Sequence, residues 1–225
     1  FGNPNLENKD GYNQVAVSKL IRGFSRGDLP ETAEELRVIS SSLGGDEKDI
    51  YLLDAATERN VKTLDLKPYN VVAFATHGLM AGEKEGLAEP ALVLTPPEKL
   101  TELDDGLLTA SEVAQLKLDA DWVLLSACNT AAGDEPGSEG FSGLAKSFFM
   151  SGAKSVLVSN WYVETYSAKE LVISLFKNLK DNPSSSISDG LNMTMLNMAK
   201  NEKERSHPMF WAPFVVVGKN QPLFF

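Results

Sequence analysis

Three short apolar runs constrain this chain more than any other feature of its 225 residues: Val71-Val72-Ala73-Phe74-Ala75-Thr76, Trp122-Val123-Leu124-Leu125-Ser126-Ala127 and Ser155-Val156-Leu157-Val158-Ser159. Runs this short without a polar alternation fit strands buried on both faces of a parallel sheet. Helical patterns separate them, so the chain reads strand, helix, strand, helix. Such a rhythm predicts an α/β fold with a mostly parallel central sheet and helices on both faces. Right-handed crossovers would then place the strand C-terminal ends on one edge, where open sheets of this kind bind ligands. The single rhythm favours one domain over residues 1–225.

The element boundaries follow from caps and breakers. Leu29-Pro30-Glu31 opens a helix through Leu43, and Gly44-Gly45 stops it. A short strand is expected over 49–53, and a short helix over 57–66 with Thr57 as N-cap. Residues 79–108 read as an excursion from the core sheet, with a strand over 91–95 and a hairpin beside the site. Thr109-Ala110-Ser111-Glu112 is a capping-box pattern. Further helices are expected over 141–151, stopped by Gly152, over 165–180, with apolar residues at Leu171, Val172, Leu175, Phe176 and Leu179, and over 185–200. A last short strand covers 213–218.

The totals exclude several classes. A net charge of −10 repels phosphates over most of the surface and argues against direct nucleic-acid binding. No apolar stretch approaches the ~20 residues that span a bilayer, so no membrane partner is expected. The one cysteine forms no intrachain disulfide and fits a reducing, cytoplasmic compartment. The N-terminal Phe1-Gly2-Asn3-Pro4-Asn5 carries neither a basic region nor an apolar signal core. Without an initiator Met, the chain reads as a piece of a longer protein.

That one cysteine, Cys128, closes the second apolar run, and His77-Gly78 closes the first. A thiol attacks as thiolate, and its free pKa of about 8.5 leaves it mostly protonated at neutral pH. An imidazole from a neighbouring strand end can take that proton and return it to a leaving amine. Gly78 lets a substrate backbone come close, and its N–H together with that of Cys128 can form an oxyanion hole. The plainer alternatives are a packed cysteine and a capped strand-end histidine. His207, in Ser206-His207-Pro208, is a competing base. One Cys and two His without ligand-like spacing do not make a zinc site, and neither a P-loop nor a G-x-S-x-G elbow is present. No metal and no cofactor are expected.

At these residues the chain resembles the CHAT domain, a caspase-related module often attached to tetratricopeptide repeats. The matching pieces are Phe74-Ala75-Thr76-His77-Gly78, Asp105-Gly106-Leu107-Leu108-Thr109-Ala110, Leu125-Ser126-Ala127-Cys128-Asn129-Thr130, Gly140-Phe141-Ser142-Gly143-Leu144-Ala145, Gly152-Ala153-Lys154-Ser155-Val156 and Trp211-Ala212-Pro213-Phe214-Val215-Val216-Val217-Gly218. The resemblance implies a caspase-hemoglobinase-like three-layer sandwich and a cysteine endopeptidase with His77 as base and Cys128 as nucleophile. It also implies a protein substrate, regulation by a tetratricopeptide-repeat or other sensor module in cis or trans, and a setting such as bacterial defence or programmed death. Two stretches depart from the family pattern: Asn129-Thr130-Ala131 after the cysteine, and Trp161-Tyr162-Val163-Glu164-Thr165 after the third apolar run. The family's first strand is not evident in this sequence. An acidic S1 pocket would select a basic P1 residue. The substrate-binding candidates near the site are Asn129, Asp134, Glu135, Glu139 and Glu164. The alternative reading is a non-catalytic CHAT-like module that grips a peptide at the same edge, and a weaker one is a small-molecule amidase.

Overall fold

The computed structural model describes residues 1–6, 29–83, 86–126, 143–161, 163–201 and 203–223. Among them the strands are β1 (Gly2–Pro4), β2 (Leu52–Leu53), β3 (Val71–Phe74), β4 (Gly78–Leu79), β5 (Ala91–Val93), β6 (Leu107–Thr109), β7 (Trp122–Leu125), β8 (Ser155–Ser159) and β9 (Phe214–Gly218). The α-helices are α1 (Pro30–Ser42), α2 (Glu58–Thr63), α3 (Ala110–Val113), α4 (Gly143–Ser151), α5 (Thr165–Asp181) and α6 (Ile187–Asn201). The fold is mixed α/β. Its strands fall into a two-stranded sheet β1-β2, a four-stranded sheet β3-β7-β8-β9 and a three-stranded sheet β4-β5-β6.

The expectation of one mostly parallel sheet is met only in part. β3, β7 and β8 pair in parallel, but β9 runs antiparallel to β8, with Ser159 opposite Phe214 and Ser155 opposite Gly218. Its C-terminal end therefore lies on the opposite edge from those of the other three strands. A short edge strand can pair in either direction, and the apolar run 214–218 carries no orientation signal of its own.

A strand that was not evident in the sequence precedes α1. Gly2–Pro4 forms β1, which pairs in parallel with β2 and bridges β3 at Gly2–Ala75. Gly-Asn-Pro has almost no intrinsic strand preference. Tertiary contact forms this strand: the Phe1 carbonyl accepts from Ala75 N–H at 2.8 Å. A Cβ on Gly2 would lie 2.7 Å from both the Ala75 carbonyl oxygen and a Leu36 methyl, so only glycine fits between β3 and α1.

Helices cover both faces of the four-stranded sheet. Val72, Phe74, Val123, Leu125, Val156 and Val158 pack with Val113, Leu144 and Phe148 on one side. Trp122, Leu124 and Leu157 pack with Leu36, Ile39 and the α5 stripe on the other. Side chains alternate across each strand, which sends neighbouring residues to opposite layers. The α5 residues Leu171, Val172, Leu175, Phe176 and Leu179 are all buried, each contributing about 1.5–3 kcal/mol. β7 and β8 are buried along their whole length, whereas Val71 and Ala73 of β3 are half-buried. Those two residues line a cavity of about 280 Å³ bounded by Leu36, Ile39 and Leu43 of α1, which leaves one face of β3 incompletely covered.

The α4 helix ends as the sequence signals. Gly152 has φ +112°, and a Cβ there would lie 2.2 Å from the Leu118 carbonyl oxygen. Gly44 beyond α1 has φ +74° but open space around it. Gly152→Ala is therefore expected to lower stability by about 3 kcal/mol or more. Gly44→Ala should lower it by only about 1 kcal/mol. Urea unfolding of the two variants checks the contrast; equal losses would show that the clash with Leu118 is relieved by a small backbone shift.

Candidate functional site

β3 and β7 end side by side. Phe74 stands opposite Leu125, and Ser126 N–H extends the pairing by donating to the Phe74 carbonyl at 2.9 Å. Beyond β3 the chain turns into the small antiparallel sheet. The Thr76 hydroxyl donates to the Val93 carbonyl, and the His77 carbonyl accepts from Val93 N–H at 2.9 Å. These two bonds fasten the residues around His77 to β5. His77 is 5% exposed, and Gly78 begins β4 opposite Leu92. The expected excursion over 79–108 is thus a three-stranded sheet whose first strand starts at the candidate site.

A polar network holds this small sheet. Glu58 Oε2 accepts from Asp105 N–H at 2.6 Å and Gly106 N–H at 3.0 Å. Lys62 binds both Glu58 and Glu112, the latter at 2.6 Å. Glu112 completes the capping box on Thr109. The Asp105–Ala110 motif is therefore a stretch of backbone whose amides are gripped from α2 and α3. Burial pulls the Lys62 ammonium down, but the Glu112 and Glu58 carboxylates outweigh it and hold its pKa above the usual lysine range.

The other expected site residues separate into two groups. Cys128, Asn129, Asp134, Glu135 and Glu139 lie outside the described residues, which stop at Ser126 and resume at Gly143. Glu164 is placed: it caps α5, accepting from Tyr166 N–H at 3.0 Å, Ser167 N–H at 2.9 Å and the Ser167 hydroxyl at 2.7 Å. Burial works to raise its pKa, but the Ser167 hydroxyl and the two amides prevail and hold it below the usual carboxylate range. Behind this cap, Arg205 and Lys169 lie over the Tyr166 ring at 4.3 Å and 4.6 Å. His207 is exposed and caps a 3₁₀ turn, its Nδ1 accepting from Met209 N–H at 3.2 Å.

One residue at this edge escaped the sequence reading. Glu35 of α1 is 1% exposed and hydrogen-bonds the Ser126 side chain, while its Oε1 is buried without a hydrogen-bond partner among the described residues. Burial pushes the carboxyl up to about 7, against the Ser126 hydroxyl and Lys169 of α5, both of which favour the ionised form. The signal was available. Thr32, Glu35, Leu36 and Ile39 recur at helical spacing and are all buried, so the period of α1 alone puts a carboxylate on its inward face.

Among the described residues, no group of three or more His, Cys, Asp or Glu side chains could hold a metal ion. No helix among them is long and apolar enough to cross a membrane.

Comparison with known proteins agrees with the sequence motifs. The family described as "CHAT domain" matches residues 1–219. The chain is 28% identical over 253 residues to tetratricopeptide repeat protein 28 of Mus musculus and 26% identical over the same length to that of Homo sapiens. Each match covers 99% of this chain but only 10% and 9% of the relatives, so the chain spans about a tenth of their length. Both relatives are mammalian, which gives the expected bacterial setting no support.

The raised Glu35 carboxyl has a consequence for stability. Its folded pKa of about 7 lies above the ordinary value of 4.5, so between those values the folded state holds more protons than the unfolded state. The contribution of Glu35 to stability is then greatest below about pH 4.5 and falls as pH rises toward 7. Glu35→Gln should remove this loss. Relative to wild type it is expected to gain on the order of 1–3 kcal/mol more at about pH 8 than at about pH 5, read from urea unfolding at the two values. Parallel pH profiles for the two proteins would show that Glu35 is ionised in the folded state across this range.

Proposed function

Because the chain belongs to the CHAT domain family, we propose that it is a cysteine endopeptidase with a His77/Cys128 dyad on a caspase-hemoglobinase-like sandwich. The register of β3 and β7 carries this reading. Phe74 pairs with Leu125 in parallel, His77 is three residues past the first, and Cys128 is three residues past the second. Helices on both faces and parallel pairing of β3, β7 and β8 support the sandwich.

In this mechanism the Cys128 thiol passes its proton to the His77 imidazole, and Sγ attacks the peptide carbonyl carbon. The N–H groups of Gly78 and Cys128 stabilise the resulting oxyanion. His77 returns the proton to the departing amine as the C–N bond breaks, leaving a thioester. Water, deprotonated by the same imidazole, hydrolyses the thioester and restores the thiol. A carboxylate offers about four acceptor positions, and Glu164 already uses three of them on α5. Recognition of a basic P1 side chain therefore falls first to Asp134, Glu135 and Glu139, with Asn129 beside the nucleophile. The names of the relatives support a tetratricopeptide-repeat module as the attached or partner regulator. The single thiol favours a reducing compartment such as the cytoplasm. The substrate is a protein.

A peptide-library cleavage assay tests the reading. Cys128→Ala should abolish cleavage, and His77→Ala should lower kcat/KM by about 10²–10⁴-fold. Cleavage that survives Cys128→Ala would overturn the proposed nucleophile. Where no form cleaves, failure of a basic-P1 electrophile to label Cys128 in wild type would favour the non-catalytic peptide-binding module.

A further inference from the structure

We propose that Glu35 is a positioning residue of the candidate site: from α1 it grips the Ser126 hydroxyl and fixes the end of β7, two residues before Cys128. This inference rests on the peptidase reading. Its structural basis is the bond between the Glu35 and Ser126 side chains, the near-complete burial of Glu35 and the absence, among the described residues, of a hydrogen-bond partner for Oε1.

A carboxyl group is poorly suited to this position on stability grounds. Its neighbours on the inward stripe of α1 include Leu36 and Ile39, both packed against the sheet and α5. An apolar side chain of the same length would pack among them without leaving a buried polar oxygen unsatisfied. Lys169 does not neutralise Glu35 by direct contact, since its ammonium binds Glu34 at 3.0 Å and lies 3.6 Å from Glu170. Among the described residues, the side chain that Glu35 hydrogen-bonds is Ser126, at the edge where the candidate chemistry sits. Ser126 itself is held on two sides, by its N–H on the Phe74 carbonyl and by its hydroxyl on Glu35. The first bond sets its place along the sheet. The second ties the same residue to the helix layer, so it opposes a shift of Ser126 toward or away from α1. Groups that act beyond bond-making distance depend on such supports, because small displacements of a reacting atom are costly in rate.

The observation that separates this role from a structural one is opposite movement of stability and activity. Glu35→Met keeps length and volume and removes the carboxyl. It should leave the urea midpoint at about pH 8 unchanged or higher, while kcat falls roughly 10- to 100-fold with KM little changed. Ser126→Ala should reproduce the loss of kcat, Ser126→Thr should retain most of it, and the double variant Glu35→Met/Ser126→Ala should be no worse than either alone. The rate of Cys128 alkylation by iodoacetamide across pH is measured on the same proteins. It needs no turnover, so it reports on the site even where wild type shows no cleavage, and a shifted profile in Glu35→Met and Ser126→Ala supports the role independently of the peptidase reading. A folded Glu35→Met with wild-type kcat and an unchanged alkylation profile overturns the proposal. If Glu35→Met does not fold, Ser126→Ala decides, with an unchanged alkylation profile counting against it.

Discussion

Val71–Phe74 and Trp122–Leu125 pair in parallel with Phe74 opposite Leu125, and the bond from Ser126 N–H to the Phe74 carbonyl carries that pairing one residue beyond the strands. The rest of the site follows from this register. A shift of one residue would exchange the inward and outward faces of β7, placing Trp122 and Leu124 where Val123 and Leu125 now pack. Both faces are buried under different helices, so the two sets of side chains are not interchangeable in volume. The register is thereby fixed by packing on two sides at once, and with it the position of Ser126 beside the Phe74 carbonyl.

Polar groups set into this frame are treated in two ways. Glu58 is as deeply buried as Glu35, yet it has an ammonium and two backbone amides around it, and it anchors the small sheet that begins at Gly78. Glu35 has one hydroxyl and an unfilled oxygen. A network that satisfies its members rigidifies a scaffold, whereas an unsatisfied member costs stability. The first belongs to the support behind His77. The second meets Ser126 at the end of β7, and the contrast between them is the ground on which Glu35 is proposed as a positioning residue.

The sequence was most legible where burial is complete. Ser155–Ser159 forms a strand over the whole expected run, and the α5 stripe is buried as its period requires. Thr57 caps α2 by accepting from Asn60 N–H, as its place before a helical run suggests. Legibility failed where a neighbour supplies what the local residues lack. Gly2–Pro4 is a strand only because β2 and β3 flank it. β9 takes its direction from the edge of β8 that it meets. Glu164 reads in sequence as a loop acid at the site, while in the structure most of its acceptor positions are engaged by the start of α5. Glu35 was hidden for a different reason: it lies on the inward face of a helix, away from the strand ends where the sequence motifs sit.

The sequence by itself determined the α/β layering, the three strand-forming runs, the caps that bound the helices and the motifs that mark the CHAT domain, because all of these rest on side-chain period, turn chemistry and local backbone preference. Only the tertiary structure decided the direction of β9, the existence of β1, the pairing that brings the ends of β3 and β7 together and the meeting of Glu35 with Ser126. These depend on hydrogen bonds and packing between residues far apart in the chain, and no local preference encodes which distant partner a strand edge or a buried carboxyl will find.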